Sequence, residues 1–183
     1  MDYTEKKVRR LNEYQGVIVH VSLDEVELPD GQHPVREVCR HPGGVAVVAL
    51  DGEGCVYCVR QYRYPFDRHV TEIPAGKLDV GEDPLLCAQR ELSEETGLTA
   101  DHWESLGYLL VSPGISTEKL YLYLATQLHQ GSAHPDEGEY LDVLRLPFAT
   151  LYRQVIDGEV SDGKTVAAVL KAACMSELGK KFT

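Results

Sequence analysis

The chain has 183 residues, 29 of them acidic against 18 basic, for a formal net charge of −11. That length suits one domain with a sizeable core, and the acidic balance argues against a basic nucleic-acid-binding face. No apolar run reaches the ~20 residues of a membrane span, and the opening "MDYTEKKVRR" lacks the apolar core of a secretion signal. The expected setting is the cytoplasm, with neither a membrane nor a nucleic acid as partner.

In chain order, "YQGVIVHVSLDEVELPDGQHPVREVCRHPG" alternates in short runs around a "PDG" turn and reads as antiparallel strands. Residues 1–40 form an expected N-terminal strand extension with a weak core of its own. It is expected to pack on the main domain or on a second subunit; the main domain spans 41–183. "GGVAVVAL" is a continuous apolar run, the mark of a strand buried on both faces, and "DGEG" turns it into "CVYCVRQYRY" as a hairpin. "HVTEIPAGKL" gives a short strand ending at Pro74.

"EDPLLCAQRELSEETG" reads as a helix with Asp83 at the N-cap, Pro84 at N1 and Gly97 at C′. Strands follow near "WESLGYLLV", "EKLYLYLATQL" and "YLDVLRLP", then two helices near "FATLYRQVID" and "GKTVAAVLKAACMSEL". This order predicts a mixed sheet packed between helices, an α/β (α+β) fold.

The five cysteines, an odd count, argue for reduced thiols. The "CVYC" pair invites a zinc reading, but it sits on a predicted strand. Residues three apart there point to opposite faces, and no second Cys or His pair follows at ligand spacing. A structural role is expected.

The central helix poses the chemical question. Glu91, Glu94 and Glu95 fall within an arc of about 100° on one face, beside an apolar line of Leu85, Ala88 and Leu92. Like charges at this spacing cost about 0.2–0.5 kcal/mol per pair. Negative charge in a last helical turn opposes the macrodipole by a further ~0.3–1 kcal/mol each. A bound dication reverses both penalties, and an all-carboxylate set favours Mg²⁺ or Mn²⁺ over zinc. The bland alternative is a solvated acidic face.

The surrounding spacing decides between them. Gly76, five residues, Glu82, seven residues, then Arg90-Glu91-Leu92-x-Glu94-Glu95-x-Gly97-Leu98 matches the Nudix box at every constrained position. With each fixed residue at about 5–10% usage, a chance match is on the order of one in a billion per starting point. The sequence resembles a Nudix hydrolase, a family that splits a nucleoside diphosphate linked to another group. The resemblance implies a Nudix-type α/β/α sandwich with a mixed sheet. It also implies that Glu91 and Glu95 are the principal metal ligands, assisted by Glu94 and by the backbone carbonyl of Ala75. Gly76 is read as allowing a tight turn, and Arg90 as a partner that steadies Glu82.

Outside the box, "REVCRHPGGVAVVAL", "VRQYRYP" and "SPGISTE", with Pro113 fifteen residues past Leu98, resemble the ADP-ribose pyrophosphatase branch from about Tyr14 to Ala173. That implies hydrolysis of ADP-ribose to AMP and ribose 5-phosphate by a homodimer. Arg63 would contact the diphosphate, which suits a guanidinium. Arg36 and Glu37 would contact substrate across a dimer interface, and Glu118 would contact the terminal ribose. The branch draws its catalytic base from a late acidic loop, here "HPDEGEYLDV". Glu137 and Glu139 both fit, since two registers of the motif match. Rival readings are a pyrophosphatase for another sugar nucleotide such as GDP-mannose, and a non-catalytic nucleotide-sugar-binding regulator. The intact box disfavours the second.

Overall fold

The computed structural model describes residues 2–134, 138 and 140–175. The chain divides into two compact units: residues 1–43 with 110–119, and 44–109 with 120–183.

The first unit is a three-stranded antiparallel sheet of β1 (Lys6–Gln15), β2 (His20–Glu27) and β3 (Val35–Arg40), in that order. β1 lies within the expected strand extension, but its bounds have no signal in the sequence. "KKVRRLNEYQ" is charged and non-alternating, and every one of its residues is exposed. Cross-strand pairing and ion pairs hold it instead: Lys7 and Arg10 reach Asp24 at 2.7 and 3.3 Å, and Arg9 meets Glu25. Asp24 is 4% exposed, and Arg40 from β3 adds a third cation at 3.5 Å. A carboxylate buried that far needs such compensation. The segment 110–119 ties to this sheet through Cys39, whose N–H donates to Ile115 O at 2.7 Å and whose carbonyl accepts from Thr117 N at 3.0 Å.

The second unit carries the expected mixed sheet. β4 (Gly44–Leu50), β5 (Cys55–Arg63), β8 (Leu98–Leu110), β9 (Lys119–Gln130) and β10 (Leu141–Pro147) lie in the order β10-β5-β4-β9-β8. β4 runs parallel to β9 and antiparallel to β5. β6 (Arg68–Glu72) pairs with β5, and β7 (Ala75–Lys77) pairs with β4. Where the sequence suggested one strand ending at Pro74, there are two; three residues are too few to show a period.

Every residue of β4 is buried, as its apolar run required. Its side chains alternate between two cores. Val45, Val47 and Ala49 pack with Cys87, Ala88 and Leu92 of α1 (Pro84–Thr96). Ala46, Val48 and Leu50 pack with Phe148, Leu151 and Val155 of α2 (Phe148–Ile156) and with Ala168, Val169 and Ala172 of α3 (Gly163–Met175). One strand thus serves both layers of the sandwich. Cys58 is buried in the second core and its thiol is pushed up to about 12 by burial, while Cys55 is only half-buried.

α1 is capped as its sequence implies. Asp83 accepts from Leu85 N and Leu86 N at 2.9 and 3.2 Å, Pro84 stands in the first turn, and Gly97 ends the helix at φ +72°. Among the described residues, no helix is long and apolar enough to cross a membrane.

Leu92 is fully buried where α1 meets β4. Leu92→Ala should lower stability by about 2–5 kcal/mol through lost burial and a residual cavity. Urea unfolding should show this as a lower midpoint at an unchanged m-value.

Candidate active site

The box residues come together between α1 and β7. Arg90 is their hub. Its Nε and Nη2 donate to the two oxygens of Glu82 at 3.0 and 3.1 Å. Its Nη1 donates to Glu91 Oε1 and Glu94 Oε2, each at 2.9 Å, and Nη2 also reaches the Lys77 carbonyl at 3.2 Å. The expected Arg90–Glu82 pair is therefore present, with two further carboxylates on the same guanidinium. This corrects part of the charge argument from sequence. The self-repulsion of the acidic stripe is already offset within the chain, so repulsion by itself does not call for a dication.

Glu82 also accepts from Asp79 N at 2.9 Å. The Arg90 bonds first, and this backbone bond second, hold its carboxyl at about 2 instead of the ordinary 4.5. Cys87 is buried beneath this group, and burial, with Glu82 nearby, pushes its thiol up to about 12. A thiol held that high is neutral at pH 7.

Gly76 has a different reason from the one its sequence suggests. It lies in β7 opposite Val45, and it is not among the positive-φ residues, so no tight turn needs it. A Cβ built there would stand 1.8 Å from the Glu91 carboxyl carbon and 1.9 Å from Oε1. The glycine exists so that this carboxylate can lie directly against the strand backbone. One residue earlier, Ala75 N donates to Glu95 Oε2 at 3.0 Å. Glu95 was expected at the margin of the buried face, yet it is 3% exposed, among the most buried polar side chains described. Glu91 and Glu95 thus meet β7 at consecutive residues, Gly76 and Ala75.

That arrangement can be tested against a metal. The donors brought to this strand are hard oxygens on a cradle that only glycine permits, a set whose chemistry fits a divalent cation. Among the described residues, no three His, Cys, Asp or Glu side chains already converge as a cation cage. Glu91 and Glu94 are turned onto Arg90, and Glu95 onto Ala75 N.

Arg63, at the end of β5, makes a two-pronged pair with Glu72 of β6, Nε to Oε1 and Nη2 to Oε2, both at 2.6 Å. Glu72 is 2% exposed and also binds Lys164 of α3, which in turn binds Asp162 at 2.9 Å. Burial would raise the Glu72 carboxyl, but the two cations outweigh it and hold it below its ordinary range. Sequence reasoning missed Glu72, Asp162 and Lys164. Only Asp162 left a signal, an N-cap residue three positions before Thr165, whose N–H it accepts at 3.0 Å.

The remaining expected contacts lie in the first unit. Arg36 in β3 pairs with Glu5 through Nε and Nη2 at 2.9 and 2.6 Å. Glu37 is exposed beside it. Glu118 stands 3.9 Å from His41 Nδ1. The candidate bases Glu137 and Glu139 lie outside the described residues. The root of their loop is described and is fastened to the last turn of α1: His134 N donates to Glu94 O at 2.9 Å and Gly131 N to Gly97 O at 2.7 Å. Gly97 is needed twice here, for its positive φ and because a Cβ would meet Ala133 N at 2.6 Å.

Two outcomes follow from these contacts. Gly76→Ala should displace the Glu91 carboxylate and reduce turnover at least tenfold while circular dichroism stays native, read as kcat under saturating metal. Glu82 contributes to stability fully above about pH 4.5, and that contribution is lost as pH falls towards about 2, because its folded value is the depressed one. Thermal midpoints measured from pH 6 to pH 2.5 should fall less steeply in Glu82→Gln than in the parent chain.

Comparison with known proteins agrees with this geometry. The NUDIX domain family matches residues 40–169. A methanol dehydrogenase activator of Bacillus methanolicus is 40% identical over 91% of this chain and 91% of its own length. An ADP-ribose pyrophosphatase of Bacillus subtilis is 37% identical over 90% of each chain. Another, from Mycobacterium tuberculosis, is 41% identical over 86% of this chain and 77% of its own. A crystal structure of an ADP compounds hydrolase superposes over 100% of both chains with a TM-score of 0.81 at 23% identity, a likeness of fold. The match spans the sheet, α1 and most of α3, and its box has folded onto a single strand–helix junction: this chain belongs to the NUDIX family of hydrolases.

Proposed function

We propose that the chain hydrolyses the diphosphate bond of ADP-ribose, releasing AMP and ribose 5-phosphate. The observation that carries the reading is the pair of α1 carboxylates brought against β7, Glu91 at Gly76 and Glu95 at the Ala75 N–H. The relatives named ADP-ribose pyrophosphatase support the choice of substrate.

Glu91, Glu94 and Glu95, with the Ala75 carbonyl, would hold Mg²⁺ or Mn²⁺. When bound, such a cation neutralises the charge on the diphosphate and lowers the pKa of a coordinated water. The chain's own residues do the rest. Arg90 keeps the carboxylates oriented on one side of α1. Burial of Glu95 against Ala75 N keeps water from solvating it and holds one oxygen in a fixed direction. Arg63, at the adjacent strand end, is proposed to bind the diphosphate through its open edge. Glu137 or Glu139, entering from the loop rooted on Glu94 and Gly97, is proposed to take the proton from the attacking water.

Arg36 and Glu37 are proposed to reach substrate across the interface of a homodimer, and Glu118 to contact the terminal ribose. The exposed apolar side chains of the first unit, Val8, Leu11 and Tyr14 among them, support a second copy as their cover. Five free cysteines support a reducing compartment, the cytoplasm.

Glu95→Gln should leave less than a tenth of the parent rate with a native fold. Retention of more would remove Glu95 from the metal site. The substrate reading is checked by a panel of ADP-ribose, GDP-mannose, NADH and UDP-glucose with Mg²⁺ or Mn²⁺, read as released mononucleotide. ADP-ribose should give the highest kcat/KM, and a higher value for GDP-mannose would reassign the substrate.

A further inference from the structure

Lys164 occupies a place where a lysine is unexpected. It sits in the first turn of α3, where the helix dipole disfavours a cation. Its side chain is only 15% exposed. An ordinary helix start would put an acid or a small polar residue there and leave a lysine in water. Something must offset both costs, and the structure shows what does. The ammonium lies between Asp162 and the buried Glu72.

Glu72 is shared. Its Oε2 takes both Lys164 and Arg63 Nη2, while Oε1 takes Arg63 Nε. The guanidinium is thereby clamped along one edge, with its plane set by two parallel bonds. Its remaining nitrogen, Nη1, has no acceptor among the described residues, and the Arg63 side chain is 40% exposed. Glu72, which the arginine grips, lies three residues before Ala75, whose N–H meets Glu95 Oε2 at 3.0 Å. The open edge of the arginine is thus presented beside the ligand helix, and its clamped edge is set by a carboxylate that depends on a second cation.

Asp162 and Thr165 fix the far end of the chain of contacts. Thr165 Oγ1 donates to Asp162 Oδ2 at 2.6 Å and accepts from Ile73 N at 2.9 Å, so the start of α3 is pinned to the residue following Glu72. The relay from α3 to Arg63 is therefore rigid at each joint. A plain docking pin for α3 is already supplied by Thr165 on Ile73, and Lys164 is surplus to that purpose.

We propose that Lys164 is a positioning residue for substrate binding: through Glu72 it holds the Arg63 guanidinium with its open edge towards the diphosphate. This rests on the reading of Arg63 as a diphosphate contact. Removing Lys164 leaves Glu72 buried with Arg63 as its one side-chain partner among the described residues, free to pivot, and the arginine swings with it. The metal-holding carboxylates are untouched. The loss should therefore fall on KM and not on kcat.

The test is steady-state kinetics with ADP-ribose on Lys164→Met, Lys164→Arg, Arg63→Ala and the double variant Arg63→Ala/Lys164→Met, with thermal midpoints to confirm folding. Lys164→Met should raise KM about tenfold with kcat within about twofold, and Lys164→Arg, which keeps a cation on Glu72, should retain most of the affinity. In the Arg63→Ala background, Lys164→Met should add nothing, the mark of two residues acting on one contact. A raised KM in Arg63→Ala alongside an unchanged KM in Lys164→Met overturns this inference alone. Full additivity in the double variant overturns it equally. Parent KM in Arg63→Ala overturns both the arginine's role and the relay built on it. Should Lys164→Met fail to fold, Lys164→Ala, which likewise leaves Glu72 without its second cation, carries the same comparison.

Discussion

Glu91 can lie against the backbone of β7 only because residue 76 has no side chain. The rest of the site depends on that close approach. It draws α1 down onto the strand, so that Ala75 N meets Glu95 from the next turn of the same helix. It also brings the Lys77 carbonyl within reach of Arg90, which then gathers Glu82, Glu91 and Glu94. A helix with three acids near its C-terminal end is electrostatically awkward. Here it is tolerable because a guanidinium inside the cluster takes up charge that a solvated stripe would leave to water.

The cluster therefore has a stable state that uses only its own residues. Metal binding, on the reading proposed here, is a change of partner and not a rescue from repulsion. Glu95 is already directed by a backbone N–H, whereas Glu91 and Glu94 share their cation with Glu82.

The fold was legible wherever one residue type carried a single physical meaning. The uninterrupted apolar run of β4 meant burial on both faces, and Asp83-Pro84 with Gly97 marked the ends of α1. The box spacing marked the acids and their arginine. Within the expected strand extension the bounds of β1 escaped, because cross-strand pairing and ion pairs hold it without a hydrophobic period, and β7 escaped because three residues carry no period at all. Within the site, Gly76 was noticed for the wrong property: the sequence shows that a side chain is missing, not what fills the space. Glu72 and Lys164 lie 92 residues apart. Nothing local distinguishes them from surface charges, and only the three-dimensional path reveals a buried ion pair.

The two-sidedness of β4 limits how this chain can vary. Val45, Val47 and Ala49 serve the layer of α1, while Ala46, Val48 and Leu50 serve that of α2 and α3. Adding or deleting one residue within the strand would exchange the two sets and misfit both cores together. Length changes are thus confined to turns such as "DGEG", and amino-acid replacement in the strand is confined to side chains of nearly equal volume. Among homologous chains this strand should serve as the fixed ruler from which the register of every other element is counted.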